Sequence, residues 1–277
     1  TLGAVATYFY DNETKIKALH KKIKEKGLVS EFNEIRNKAD QFKSVFITVT
    51  TGHWSDDPNV DGADWLKTEK EYFDKVTMKN DLIIGSGYYT HYFTPDNSEV
   101  LFVSVYANWE DIEKANDVTA KLIEQGWPDE AARKAFLTKQ NSYYSPVHAD
   151  EIYASMRFTK PLKSDSKEPL IYYVKKNELG EGGKGFEEYF ENVTMKNSFV
   201  KGYYTHRHRW GANSQDALEV FVFDKLADIE SFFDENVKLG KQHWPDEAKR
   251  KAFFEEYDKI FAGHGDYIYR NVPELAK

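Results

Sequence analysis

Glu71–Asn80 reads EYFDKVTMKN, and 117 positions later Glu188–Asn197 reads EYFENVTMKN. Further words recur in the same order, namely GYYTH at Gly87–His91 and Gly202–His206, WPDEA at Trp127–Ala131 and Trp244–Ala248, and His-x-Asp at His148–Asp150 and His264–Asp266. Matching words in one order indicate two copies of a single structural unit. The fold prediction therefore reduces to the prediction of one unit.

The elements of each copy follow from the spacing of apolar residues. Phe46–Thr50 is β-branched and apolar, which is typical of a strand, and Asp64–Asn80 has apolar residues at helical spacings. Two strands, a helix, a shorter helix and a closing strand are predicted to follow. The second copy repeats these elements, and its first helix is predicted over Lys184–Asn197. The resulting β-α-β-β-α-β order is ferredoxin-like, so we predict an α+β protein.

Four segments are predicted from these elements. They are an N-terminal helical extension (1–42), a first ferredoxin-like repeat (43–159), a charged linker (160–168) and a second ferredoxin-like repeat (169–277). A sheet of this kind has helices on one face only, and two copies can cover each other's bare faces. We therefore predict that the two repeats pair as one fused unit.

The composition excludes several classes of protein. The chain has 277 residues, a formal net charge of −8 and no cysteine. An acidic chain argues against nucleic acid as a partner, because phosphate binding requires a concentrated basic surface. The lack of cysteine excludes disulfides and thiolate metal sites. No apolar run approaches the length needed to span a bilayer.

The first residues bear on localisation. The sequence begins at Thr1, and Gly3–Ala6 is small and apolar. A trimmed precursor and a recombinant start would explain this beginning equally well. Between these readings we favour an exported, periplasmic bacterial protein.

The element order and the repeat resemble the dimeric α/β-barrel superfamily in its tandem-fused form, over about 43–277. Members of that superfamily include cofactor-independent monooxygenases, haem-binding and haem-degrading enzymes, and polyketide cyclases. The resemblance implies a small, often aromatic ligand in a cavity. It also implies a monomer with an internal pseudo-dimer, or a weak homodimer. Because this fold serves unrelated functions, the resemblance alone assigns no reaction.

The repeated GYYTH strand supplies candidate catalytic residues. Alternation along a strand places Tyr204, His206 and His208 on one face, with Tyr89 and His91 at matching positions of the first copy. Histidine titrates near neutrality and tyrosine can stabilise an oxyanion. We predict the first three as catalytic and the other two as ligand-binding, without a metal. In the alternative interpretation these side chains only close hydrogen bonds around the barrel.

Further ligand-binding residues are predicted around them. Arg207 can engage a carboxylate, and Trp210 extends the same strand. In the pair His264 and Asp266, the carboxylate can fix the tautomer of the imidazole. The plainer interpretations are solvated charge on an edge strand and local turn chemistry.

Three functions are open at this point. The first is binding of a small aromatic or amphipathic molecule in a barrel cavity, with cofactor-independent oxygenase or cyclase chemistry by tyrosine and histidine. The second is haem binding, with His148, His264 or His206 as the axial ligand. The third is a non-catalytic interaction protein, which predicts a shallow or filled barrel.

Overall fold

The structure is a computed structural model that describes residues 24–25, 27, 42–163 and 167–277. The chain divides into two compact units, Thr1–Lys43 and Ser44–Lys277. The predicted N-terminal helical extension falls almost entirely outside the described residues, and so does part of the predicted linker. All elements described below belong to the second unit.

Eight antiparallel strands of this unit close into a barrel in the order β1-β3-β2-β8-β5-β7-β6-β4. The strands are β1 Phe46–His53, β2 Gly85–Phe93, β3 Glu99–Tyr106, β4 Ala149–Ser155, β5 Ile171–Leu179, β6 Gly202–Trp210, β7 Asp216–Phe223 and β8 Phe261–Asn271. Around the barrel, the first four strands run β4-β1-β3-β2 and the last four run β8-β5-β7-β6. The predicted α+β class is confirmed, and the strands form one closed barrel.

Helices connect the strands of the barrel. They are α1 Trp65–Lys75, α2 Glu110–Gly126, α3 Glu130–Ser142, α4 Phe186–Tyr189, α5 Ala227–His243 and α6 Glu247–Tyr257. Short 3-10 turns occupy Gly62–Asp64, Thr77–Lys79 and Pro273–Leu275, and Phe190–Thr194 is a π turn. Within the described part of the chain, no helix has the length and apolar character needed to cross a membrane.

The two halves of the barrel differ at their first helix. The prediction for the second copy, a helix over 184–197, was too long, because α4 has four residues and continues as the π turn. Gly185 precedes α4 with a φ of +97°, in the left-handed region that favours glycine. A Cβ at this position would lie 2.5 Å from the ring of Phe253. The close packing against α6 and the left-handed residue together delay the start of the helix.

The repeated GYYTH word builds the barrel wall. At Gly87 a Cβ would lie 2.9 Å from the hydroxyl of Tyr89, and at Gly202 it would lie 3.3 Å from the ring of Tyr204. The glycine therefore makes room for the ring of the tyrosine two residues later. Since strand residues two apart share a face, both tyrosines lie on the inner face of the barrel.

The other tyrosine of each word points outward and bonds a buried glutamate. Tyr88 donates to Glu69 of α1 at 3.1 Å, and Tyr203 donates to Glu219 of β7 at 2.6 Å. Burial raises the pKa of Glu69, although hydrogen bonds from residues such as Tyr144 oppose the shift. The two glutamates come from different elements, so the halves satisfy the same outward tyrosine in different ways.

Asn80 and Asn197, the last residues of the repeated decapeptide, join the first helical segment of each half to the second. Both are fully buried, at 0% exposure. The Asn80 side-chain amide donates to the Ala115 carbonyl at 2.9 Å, and that of Asn197 donates to the Phe232 carbonyl at 3.0 Å. We expect Asn80→Ala or Asn197→Ala to lower the free energy of unfolding by about 2 kcal/mol, because buried backbone groups lose their partner. Urea denaturation measures this loss.

The matched control for both variants is Asn116→Ala. Asn116 is an exposed residue of α2, so its replacement should leave the free energy of unfolding within about 0.5 kcal/mol of the parent. If Asn80→Ala and Asn197→Ala unfolded at the same urea concentration as the parent, the stabilising role of these amides would be contradicted.

Candidate functional site

A cavity of about 470 Å³ lies inside the barrel. Alternate residues of all eight strands line it, and its wall combines aliphatic side chains, tyrosines and a few charged groups. The aliphatic lining includes Ile47, Val49, Leu101, Val103, Val174 and Val220. The volume and the mostly apolar wall are typical of small-molecule sites.

Tyrosines on three strands form one aromatic part of the wall. The rings of Tyr89 and Tyr172 are 4.8 Å apart at 69°, and the hydroxyl of Tyr204 accepts a hydrogen bond from the Leu162 N–H at 2.9 Å. Burial raises the pKa of Tyr89 well above its ordinary value and that of Tyr172 to about 12. These two phenols are therefore protonated at neutral pH, and they act as hydrogen-bond donors rather than as bases.

A second part of the wall is charged. The ammonium of Lys176 lies 3.0 Å from Glu151 and 2.9 Å from Asp216. Burial alone would lower the pKa of Lys176, but its hydrogen bonds to these two carboxylates outweigh burial and raise it. Glu99 also lines the cavity and accepts a hydrogen bond from the Tyr269 hydroxyl at 3.0 Å.

His206 is the histidine among the residues that line the cavity. Its Nδ1 is buried and has no hydrogen-bond partner among the described residues. Burial lowers the pKa of His206 to about 4. This value lies below the near-neutral pKa expected of a histidine, because the surrounding protein disfavours the charged imidazolium. At pH 7 the ring is neutral, and it can take part in a hydrogen bond but is a weak base.

The structure separates the residues predicted on the GYYTH strands. Tyr89, Tyr204 and His206 line the cavity. His208 does not, and its ring packs edge-on against Tyr153 with centroids 6.5 Å apart. His91 lies near the end of β2, where its Nδ1 is 2.7 Å from the hydroxyl of Thr94.

The remaining predicted residues lie outside the cavity. Arg207 is exposed because its strand position points away from the barrel interior. Trp210 is 68% exposed, at the end of β6 beyond an irregularity in the β4–β6 ladder. His264 and Asp266 form an exposed pair at 3.5 Å, and Asp266 accepts a hydrogen bond from Tyr173 at 2.7 Å. These four side chains do not contribute to the lining, which corrects their predicted placement around a ligand in the barrel.

The sequence analysis missed the charged groups of the wall. A signal for them exists, because Tyr172, Val174 and Lys176 alternate along β5 and therefore share a face. On the same reasoning Glu151 shares a face with Tyr153 on β4. The described residues contain no group of three His, Asp or Glu side chains placed to hold a metal ion.

Solved structures similar to this chain share its fold. A candidate monooxygenase from Fusobacterium nucleatum subsp. nucleatum has a TM-score of 0.53 and 11% identity, covering 84% of this chain and 94% of that chain. A mutant chlorite dismutase from Candidatus Nitrospira defluvii has a TM-score of 0.51 and 11% identity, covering 83% of this chain and 93% of that chain. No protein-family model matches the chain, and no curated protein sequence matches it.

These likenesses concern the fold of the chain. The chain has the dimeric α/β-barrel, ferredoxin-like fold that the sequence resemblance implied. At such low identity the likeness establishes the fold alone, and the activity must be argued from the cavity.

Proposed function

We propose that the barrel interior binds a small aromatic or amphipathic molecule. The observation that carries this proposal is the cavity of about 470 Å³ with an aliphatic and tyrosine wall. The neutral ring of His206 supports it, because it adds a polar group to the wall of the same cavity. A non-catalytic interaction protein would instead have a shallow or filled barrel, so the cavity favours the ligand-binding function.

We also propose that the chain is a fusion of two copies of one ferredoxin-like unit, 43–159 and 169–277. The strand order is β4-β1-β3-β2 in the first half and β8-β5-β7-β6 in the second. If the strands of each half are numbered from one to four along the chain, both halves have the same order, 4-1-3-2. The buried amides of Asn80 and Asn197 make matching bonds. A barrel closed within one chain is consistent with a monomer that contains a pseudo-dimer.

The chemistry of the wall bears on catalysis. Cofactor-independent oxygenation or cyclisation by Tyr204, His206 and His208 stays a prediction. With a pKa of about 4, His206 is a weak base at neutral pH, and buried phenols such as Tyr89 are donors. This wall is therefore better suited to hold an oxygen or nitrogen of a ligand than to remove a strongly held proton.

A cavity-filling variant tests the binding function. We expect 2-naphthol to bind the parent, as measured by calorimetry, and Val220→Trp to weaken that affinity by at least about tenfold, because an indole would occupy the cavity. Val237→Trp is the matched control, since Val237 is 59% exposed on α5. Equal affinity in the two variants, with both folded by circular dichroism, would contradict binding inside the barrel.

Haem binding is the second candidate. Of the three histidines predicted as axial ligands, His206 lines the cavity, whereas His148 and His264 are exposed. The low pKa of His206 keeps its ring neutral, which is the form that ligates iron. A ligating histidine normally donates its other ring N–H to a fixed partner, and Nδ1 of His206 has none within the part of the chain that the structure describes. Haem therefore fits this site less well than a small aromatic or amphipathic ligand. A haem titration that shows no shift of the Soret band would rule out haem binding.

A further inference from the structure

We infer that the cavity selects aromatic amines in their cationic form over neutral and anionic analogues of the same shape. This inference rests on the proposed binding function and adds a charge preference to it. Three features of the wall carry it: cations that already have partners, carboxylates in excess, and the faces of tyrosine rings.

The cationic side chains of the wall have no capacity for an acidic ligand. The Lys176 ammonium is held between Glu151 and Asp216, at 3.0 and 2.9 Å. The Lys277 ammonium, whose residue also lines the cavity, donates to the carbonyls of Thr77 and Asn80 at 3.2 and 2.9 Å. An anionic ligand would have to displace one of these bonds before it gained a partner.

Carboxylates are in excess in the charged part of the wall. Glu99 and Glu151 line the cavity, and Asp216 is the second carboxylate partner of Lys176. The ammonium groups opposing these carboxylates are those of Lys176 and Lys277, and the hydrogen-bond donor to Glu99 is the uncharged hydroxyl of Tyr269. The lining together with Asp216 therefore has one formal negative charge in excess before a ligand binds. In an enclosed site the interaction of a ligand cation with that charge is stronger than in water.

The rings of the wall add a second attraction for a cation. Tyr267 lies over Gly265, where a Cβ would be 3.0 Å from the ring, and Tyr89 lies over Gly87 in the same way. Both tyrosines line the cavity. A cation over a tyrosine face is attracted by the ring quadrupole.

His206 provides an independent reason for a donor ligand. Its Nδ1 is buried, lacks a partner and belongs to a ring that lines the cavity. The ring is neutral at pH 7, so one of its two nitrogens is an acceptor. An ammonium group is donor-only, so it is the kind of partner that an acceptor nitrogen of this ring requires.

The test uses three probes of nearly equal shape: 2-phenylethylamine, 2-phenylethanol and 3-phenylpropanoate. At pH 8 the amine is cationic and the carboxylate is anionic. We expect calorimetry to show that the amine binds about tenfold more tightly than the alcohol, and the carboxylate more weakly than both.

Two variants separate charge from shape. Glu99→Gln should weaken the amine by about fivefold or more and leave the alcohol unchanged, because only the charge of the wall is altered. Glu124→Gln removes the same charge from an exposed position of α2, and it should change neither affinity. Amine affinity that is the same in both variants would overturn the inference.

The outcomes also separate this inference from the proposed function. If the alcohol or the carboxylate binds as tightly as the amine, and Val220→Trp abolishes that binding, the ligand-binding function stands and the preference for amines is wrong. If none of the three probes nor 2-naphthol binds, the proposed function fails and the charge preference fails with it.

Discussion

Lys176→Met should lower the free energy of unfolding by about 3 kcal/mol, because it leaves two largely buried carboxylates without their cation. The side chains of Glu151 and Asp216 are 17% and 5% exposed, and both depend on the Lys176 ammonium. Methionine retains most of the aliphatic stem, so the variant tests the charge more than the packing. Urea denaturation at pH 7 measures the loss.

A second variant separates this buried cluster from an ordinary surface ion pair. Lys201→Met is the matched control, because Lys201 pairs with the exposed Asp224 and should contribute less than about 1 kcal/mol. Equal losses in the two variants would show that the cluster has no special role.

Much of the fold was predictable from the sequence because the repeat reduces the number of alternatives. Each half had to provide the same elements, and the strands around GYYTH alternate clearly. The first helix of the second half was predicted less well. Its late start depends on Gly185 and on the packing of Phe253 from a distant helix, and a local pattern does not report such a contact.

The candidate site was only partly predictable. Alternation correctly grouped Tyr204 with His206, and both line the cavity. Alternation cannot tell which face of a strand closes inward when both faces carry aromatic residues, as Tyr203 and Tyr204 do. It also does not reveal that Lys176 has two carboxylate partners, because they come from strands about 25 and 40 residues away in the chain.

The charged residues on the inner face of the barrel were not predicted from the sequence, and their position explains why. Lysine and glutamate in a strand usually indicate a solvated face, and Arg207 follows that rule. Lys176 breaks it, because a barrel of eight strands has an interior wide enough to hold side chains or one small ligand. Charged residues on the inner face are therefore an indication of a binding cavity, and in this chain they are a better indication than the exposed pair His264 and Asp266.

When the pH is lowered from 8 to 4, the free energy of unfolding should fall by about 3 kcal/mol less in His206→Gln than in the parent. The folded-state pKa of His206 is lowered from an ordinary 6.5 to about 4 by burial. As the pH falls below 6.5, the unfolded chain binds a proton at this position and the folded chain does not, so the free energy of unfolding decreases. The decrease continues until the folded state is also protonated near pH 4. Glutamine carries no such proton, so that contribution is absent from the variant.

Urea denaturation of the parent and of His206→Gln between pH 4 and pH 8 measures this contribution. The difference in unfolding free energy between the two proteins should be constant above pH 7. At pH 4 it should have changed by about 3 kcal/mol in favour of the variant, because only the parent loses this contribution. His264→Gln is the control, because it makes the same substitution at a histidine that is 43% exposed and outside the cavity. Parallel pH curves for the parent and His206→Gln would mean that His206 is solvated in the folded state. The cavity would then have to be open to water at that point, and the neutral imidazole could no longer be assumed as a partner for the ligand.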